Sequence, residues 1–266
     1  MTKPPAGTPS TVFDANLDRW LAWQDEPWAR VRYAVVGHVL DTHLHGENPP
    51  LRVLDVGGGD GKDSLRLAAA GSEVTILDYS EAMLGQAREN AAALGVLDRV
   101  HLVGGGMEGL ADFADADFDV VLCHFVVQYL ADPAEAVRGV VEAARVGGLL
   151  SLVAPNPASE VFAKAVRGKD PSAALTLLDS PTFRAAAFEH DVARVHWRAA
   201  ARDLRAAGAE VVGRYGSRCF IDLVDDDVFT SDPEHWEDIL RLEIAVCATS
   251  PYRDVARAWQ LVARRR

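Results

Sequence analysis

Leu51-Arg-Val-Leu-Asp-Val-Gly-Gly-Gly-Asp-Gly61 decides how this 266-residue chain folds. Leu51 to Val56 is a short apolar run that stops at glycines 57, 58, 59 and 61, as a strand buried on both faces does. Lys62 to Ala70 then has helical periodicity and ends at Gly71, a C-terminal cap. A strand passing through glycines straight into a helix lets backbone approach a ligand closely. The same pattern also serves as a purely structural turn.

Downstream, the unit repeats. Glu73 to Leu77 reads as a second strand, and Glu81 to Leu94, closed by Gly95, as a helix. Val100 to Val103 is a third strand, Asp119 to His124 a fourth, Pro133 to Arg145 a helix and Leu149 to Ala154 a fifth strand. This alternation predicts a doubly wound, mostly parallel α/β sheet with a ligand crevice at the carboxyl ends of its strands.

Upstream, residues 13–48 form a helical lid: Phe13 to Leu44 is helical and holds Trp20, Trp23 and Trp28, and His45 to Pro50 ends it as a turn. The tail 1–12 reads as disordered. Residues 51–156 are the ligand-binding core. After Asn156 the alternation is lost, so 157–208 reads as an insertion or second lid, with a helix from Val195 to Ala207. Segment 209–266 supplies two late strands, Glu210 to Tyr215 and Trp259 to Ala263. One domain spanning 13–266 accounts for this organisation.

Composition narrows the function. Acidic residues outnumber basic ones 39 to 27, a formal charge of −12, which speaks against a nucleic-acid partner and against anionic membranes. No apolar run reaches the ~20 residues a membrane span needs, and the N-terminus lacks the apolar core of a signal peptide. Cys123, Cys219 and Cys247 are too scattered for a disulfide framework or a structural zinc site. A cytoplasmic protein without a metal centre is the expectation; its oligomeric state is not legible.

The glycine spacing is GxGxG (57, 59, 61), not the GxGxxG that sets a dinucleotide pyrophosphate on a helix N-terminus. Asp78 ends the second strand, 23 residues beyond Asp55. A carboxylate there accepts hydrogen bonds from both hydroxyls of a ribose; it also fits an acidic position beside a helix cap, since Ser80 is a good N-cap. Tyr79 and Met83 would flank an adenine, although Met83 serves equally well as core.

The strings VLDVGGGDG, ILDYSEAML, FDVVLCHFVVQYL and VGGLLSLVAPN resemble, in order, the motifs of class I S-adenosylmethionine-dependent methyltransferases. PWARVRY (27–33), RYGSRCF (214–220), LRLEIAV (240–246) and SPYRDVAR (250–257) extend the resemblance to the bacterial tRNA carboxymethoxyuridine carboxyl-methyltransferase group and its actinobacterial relatives. The resemblance implies a Rossmann-like, seven-stranded sheet with one antiparallel strand and S-adenosylmethionine as cofactor. It implies that Asp55, Gly57 and Gly59 line the methionine part and that Asp78 holds the ribose. It implies also that Arg32 reaches the methionine carboxylate and that His124 faces the methyl group. The sequence departs from the family where many members carry an acid for the adenine amino group: Gly106 stands there. Adenine contacts then fall to backbone around Gly106 and to Met107, with Glu108 a possible substitute.

Candidate bases and orienting groups are His124, Tyr129, His190 and Tyr215, each of which also suits a structural role. Arg218 pairs with an anionic acceptor or with Asp222 and the acidic run 225–227. Trp28 and His190 complete the candidate acceptor contacts. The expected activity is methyl transfer to a small-molecule acceptor, with a tRNA wobble-uridine carboxylate as the alternative. A non-catalytic cofactor-binding module and a nicotinamide-dependent oxidoreductase fit the motifs less well.

Overall fold

The structure, a computed structural model, describes residues 17–24, 26–47, 50–114, 116–185, 190–223 and 233–266. Its centre is a seven-stranded sheet in the order β3-β2-β1-β4-β5-β9-β8. These strands are β1 (Arg52–Val56), β2 (Glu73–Asp78), β3 (Val100–Gly104), β4 (Phe118–His124), β5 (Ala144–Pro155), β8 (Ala209–Ser217) and β9 (Ala258–Arg265). β6 (Thr182–Ala185) and β7 (His190–Ala193) make a separate hairpin. β1 to β5 pair in parallel, and β9 runs antiparallel to both β5 and β8, so the sheet has the one reversed strand that the resemblance implied.

The apolar runs of the central strands are continuous because both faces are covered. Alternate residues go to opposite sides. Val53, Val120, Leu122 and Val262 join one core with Val31, Val35, Val36 and Val39 of helix Pro27–Leu44. Leu54, Val121, Cys123 and Leu261 join the other with Val137, Val140 and Val141 of helix Pro133–Ala143 and Leu204 of helix Trp197–Ala206.

Helix starts follow side-chain caps. Ser80 Oγ accepts from Met83 N at 3.2 Å, and Asp132 Oδ1 accepts from Ala134 N and Glu135 N. Two of the boundaries that differ from the sequence reading bear on the site. The N-terminal segment is two helices, α1 (Leu17–Gln24) and α2 (Pro27–Leu44), because Glu26 is extended and Pro27 starts a new first turn. After the glycines the helix begins only at Leu65, not Lys62, since Gly58 to Ser64 is a run of tight turns. The tail 1–12 and the acidic run 225–227 lie outside the described residues. Within them, no helix is long and apolar enough to cross a membrane.

Candidate active site

A cavity of about 470 Å³ opens at the carboxyl ends of β1, β2 and β4, where the strand order reverses. It is lined by Gly57, Gly58 and Gly59 after β1, Asp78 and Tyr79 after β2, and His124 and Phe125 after β4. Gly57 (φ +65°) and Gly59 (φ +55°) are in the left-handed region, which costs a side-chain-bearing residue energy. A Cβ on Gly57 would stand 2.5 Å from Val126 Cγ2. At Gly59 the nearest atom to such a Cβ is Met83 Sδ at 3.9 Å, so the turn leaves open space towards the cavity there.

Asp78 staples this turn to the sheet. Its Oδ2 accepts from Gly59 N at 2.8 Å and its Oδ1 from Ser80 N at 2.9 Å. Asp55 is 1% exposed and its Oδ2 has no hydrogen-bond partner. Burial first, then the neighbouring charges of Asp63 and Asp78, push its carboxyl up to about 7.

That shift has a consequence for stability. The folded chain keeps a proton that the unfolded chain releases above pH 3.8, so Asp55 contributes most favourably below that pH, and the contribution is lost as pH rises through about 7. Asp55→Asn is therefore expected to raise the cofactor-free melting temperature at pH 8 and leave it nearly unchanged near pH 3.5. Identical shifts at both pH values in a calorimetric scan would refute this.

On the lid side, Arg32 is buried and forks onto Asp63, with Nη1 donating to Oδ1 at 3.1 Å and Nη2 to Oδ2 at 2.6 Å. Its guanidinium lies over the rings of Tyr33 (4.1 Å) and Phe125 (4.9 Å). Tyr33 Oη donates to Gln24 Oε1, and Gln24 Nε2 donates to Asp60 Oδ2 at 2.8 Å, tying α1 and α2 to the glycine turn. His124 is held on both edges: Nε2 is 2.8 Å from Ser151 Oγ, and Nδ1 is 3.2 Å from Asp63 Oδ2.

Most residues singled out in the sequence come together here. Arg32, Asp55, Gly57, Gly59, Asp78, Tyr79, Met83, Gly106, Met107, His124, Tyr129, Trp28 and Arg218 all line the cavity. Gly106 N donates to Glu108 Oε1 at 3.2 Å, and a Cβ on Gly106 would meet that carboxylate. Tyr215 is not brought here. On β8 its hydroxyl meets His43 Nε2 at 2.7 Å and its ring packs on the core beneath α2. The His190 side chain lies outside the described residues.

Sequence reasoning missed Asp63, which looked like an ordinary first-turn helix residue. It also gave no sign of the positive φ of two cavity-lining residues, Phe125 (+57°) and Arg218 (+63°), although it singled out Arg218 itself. Such residues persist only where their surroundings hold them. Phe125 N donates to Val153 O at 2.7 Å, and its carbonyl accepts from Gln128 Nε2. Arg218 pairs with Asp222, lies 4.3 Å over the Trp28 ring, and begins a loop whose next three N–H groups donate to the buried Glu243 carboxylate.

Residues 53–148 match a family model described as a methyltransferase domain. The chain is 29% identical over 239 residues to the tRNA 5-carboxymethoxyuridine methyltransferase of Escherichia coli, covering 89% of this chain and 88% of that protein. It is 34% identical over 157 residues to the ubiquinone biosynthesis O-methyltransferase of Bordetella bronchiseptica, covering 57% and 63% of the two chains. In fold it is similar to the magnesium protoporphyrin IX methyltransferase of Synechocystis, solved with bound SAH, at a TM-score of 0.63 and 17% identity over 97% of this chain and 98% of the other.

Proposed function

This chain is a class I S-adenosylmethionine-dependent methyltransferase, and from that premise we propose that it methylates a small-molecule acceptor lodged under its aromatic N-terminal helices. The observation that carries the cofactor placement is the glycine turn stapled to Asp78 beside a cavity of ligand size. The open space at Gly59 suits an amino-acid chain, and the Asp78 carboxylate at the end of β2 suits a ribose. When bound, S-adenosylmethionine supplies a methyl group activated by its sulfonium.

In this reading Asp78 accepts the ribose hydroxyls, and Gly57 and Gly59 keep side chains out of the way of the methionine part. Tyr79, Met83 and Met107 flank the adenine. Arg32 retains N–H donors beyond the two given to Asp63, and these would meet the methionine carboxylate. Proximity of acceptor and methyl group accounts for ~7 kcal/mol or more of the barrier in such transfers, so the chief task of the residues is alignment. Trp20, Trp23, Trp28 and Phe183 give the acceptor region aromatic walls that exclude water. Burial raises the Tyr129 phenol, so it remains protonated and serves as a donor. His124, with both ring nitrogens facing partners, serves as an orienting group. Arg218 stands ready for an anionic part of the acceptor.

The arginines available for an RNA face support a small acceptor, since most have local partners. Arg194 donates to the carbonyls of Pro157, Leu177 and Ser180. Arg202 pairs with Asp203, Arg264 with Glu47 and Arg266 with Glu210. Arg265 donates to the carbonyls of Glu142 and Ala144. The full-length likeness to a tRNA enzyme supports the second reading, a carboxylate on a wobble uridine.

Salt dependence separates them. An RNA acceptor must contact several phosphates, and its affinity falls steeply with salt, whereas a small acceptor shows a shallow slope. Gel-shift titration with unmodified and carboxymethoxyuridine-containing tRNA at low and moderate salt is expected to show no specific complex. Specific micromolar binding with a steep slope would replace the small-acceptor reading by the tRNA one.

A further inference from the structure

We propose that Asp63 is the positioning residue of this site, one carboxylate that fixes the Arg32 guanidinium and the His124 ring together; the inference rests on the cofactor placement above. Asp63 lies two residues beyond the glycine turn, with its side chain 13% exposed, and its two partners are more buried still, at 10% for Arg32 and 2% for His124. Burial alone would raise its carboxyl, but Arg32 and His124 outweigh that and hold it well below the usual carboxylate range. Asp63 is therefore an anion, which accepts hydrogen bonds and donates none.

The polarity of the surrounding contacts then follows. Gln260 Nε2 donates to Ser151 Oγ at 3.0 Å, and Ser151 Oγ, with one proton and two lone pairs, is able either to donate to His124 Nε2, 2.8 Å away, or to accept from it. The Asp63 anion decides between the two: it accepts only, so Nε2 accepts from the Ser151 hydroxyl and the ring proton lies on Nδ1, facing Asp63 Oδ2 at 3.2 Å. This last contact is electrostatic rather than a straight hydrogen bond, because the N–H does not aim squarely at the oxygen. From the other side Arg32 donates two hydrogen bonds to the same carboxylate. Arg32 of α2 and His124 of β4 thus both face one anion beside the glycine turn.

The arrangement couples parts that the sequence separates widely. Arg32 reaches the cavity from the lid helix α2, and His124 from the end of β4. A carboxylate between them fixes the guanidinium plane against Phe125 and the tautomer of the imidazole before any ligand arrives. Preorganisation of this kind lowers the ordering cost of binding. Loss of such an outer partner lowers ligand affinity by roughly 10–100-fold where it has been measured for metal-bound histidines.

The test uses the full chain and two readouts. Two-bond proton–nitrogen correlation spectra of the cofactor-free protein are expected to show His124 as the Nδ1-protonated tautomer. In D63N that preference is lost, and calorimetry shows S-adenosylhomocysteine binding weakened about tenfold. An Nδ1-protonated ring in D63N overturns the proposal, as does wild-type affinity in that variant. If D63N does not fold, S151A decides: it retains Asp63, so the Nδ1 proton is expected to stay, and its loss there would shift control of the tautomer to Ser151 and overturn the proposal. The spectra need no cofactor. Failure of the cofactor placement would instead appear as wild-type protein that does not bind S-adenosylhomocysteine while its His124 spectrum is as expected.

Discussion

Arg32→Ala is expected to lower stability by about 3–5 kcal/mol, because it leaves the Asp63 anion buried without its counter-charge. For a chain of this size that corresponds to a fall in melting temperature on the order of 10 °C. The guanidinium also loses its stacking over Tyr33 and Phe125, which adds to the effect. Combining Arg32→Ala with Asp63→Asn removes both charges and is expected to restore much of the loss, a coupling that a double-mutant cycle measures directly. Additive losses in the double variant would mean that the two residues act independently. Ligand choice supplies a second reading. If Arg32 meets the methionine carboxylate, Arg32→Ala weakens S-adenosylmethionine but scarcely affects 5′-methylthioadenosine, which lacks that carboxylate. Equal losses would confine Arg32 to holding the lid helix in place.

Asp78→Ala is expected to weaken S-adenosylhomocysteine binding by about 1.5–3 kcal/mol, the usual range for hydrogen bonds to a charged group. The same carboxylate accepts from Gly59 N and Ser80 N, so part of the loss comes from a loosened glycine turn. Melting temperature measured alongside calorimetry separates the two. A variant that binds S-adenosylhomocysteine as tightly as wild type would remove Asp78 from the site.

The strands and the glycine turn were legible because their causes are local. A parallel strand covered on both faces must be apolar throughout, and a turn that brings backbone to a ligand needs residues free to take positive φ. The glycine turn and Asp78 at the end of the second strand follow from that logic, whereas the places of Asp55, Gly57 and Gly59 beside the methionine part came from the resemblance. The lid was read less well. Periodicity ran through Asp25 to Pro27 without a break, although proline suits the first turn of a new helix better than the middle of an old one.

Asp63 was invisible because its importance is set by distant partners on α2 and β4, and nothing in its spacing distinguishes it from a solvated helix residue. The positive φ of Phe125 and Arg218 was hidden for a similar reason: tertiary hydrogen bonds hold their backbone angles. Tyr215 shows the opposite error. It was one of four candidate bases, but β8 carries the tyrosine to His43, while the chain travels on to deliver Arg218 to the cavity. The hairpin β6–β7 was folded into an undivided insertion, since four-residue strands leave too short an alternation to detect. From it, Phe183 and Val192 reach the cavity.

The central claim is that the turn from Gly57 to Gly61, with Asp78, forms the cofactor seat. A crystal structure of the protein grown with S-adenosylhomocysteine tests it most directly. The account predicts the ribose hydroxyls at the Asp78 carboxylate and the amino-acid end against Gly57 and Gly59, beneath α2. A ligand bound elsewhere in the cavity, with no contact between its ribose and the Asp78 carboxylate, would contradict it.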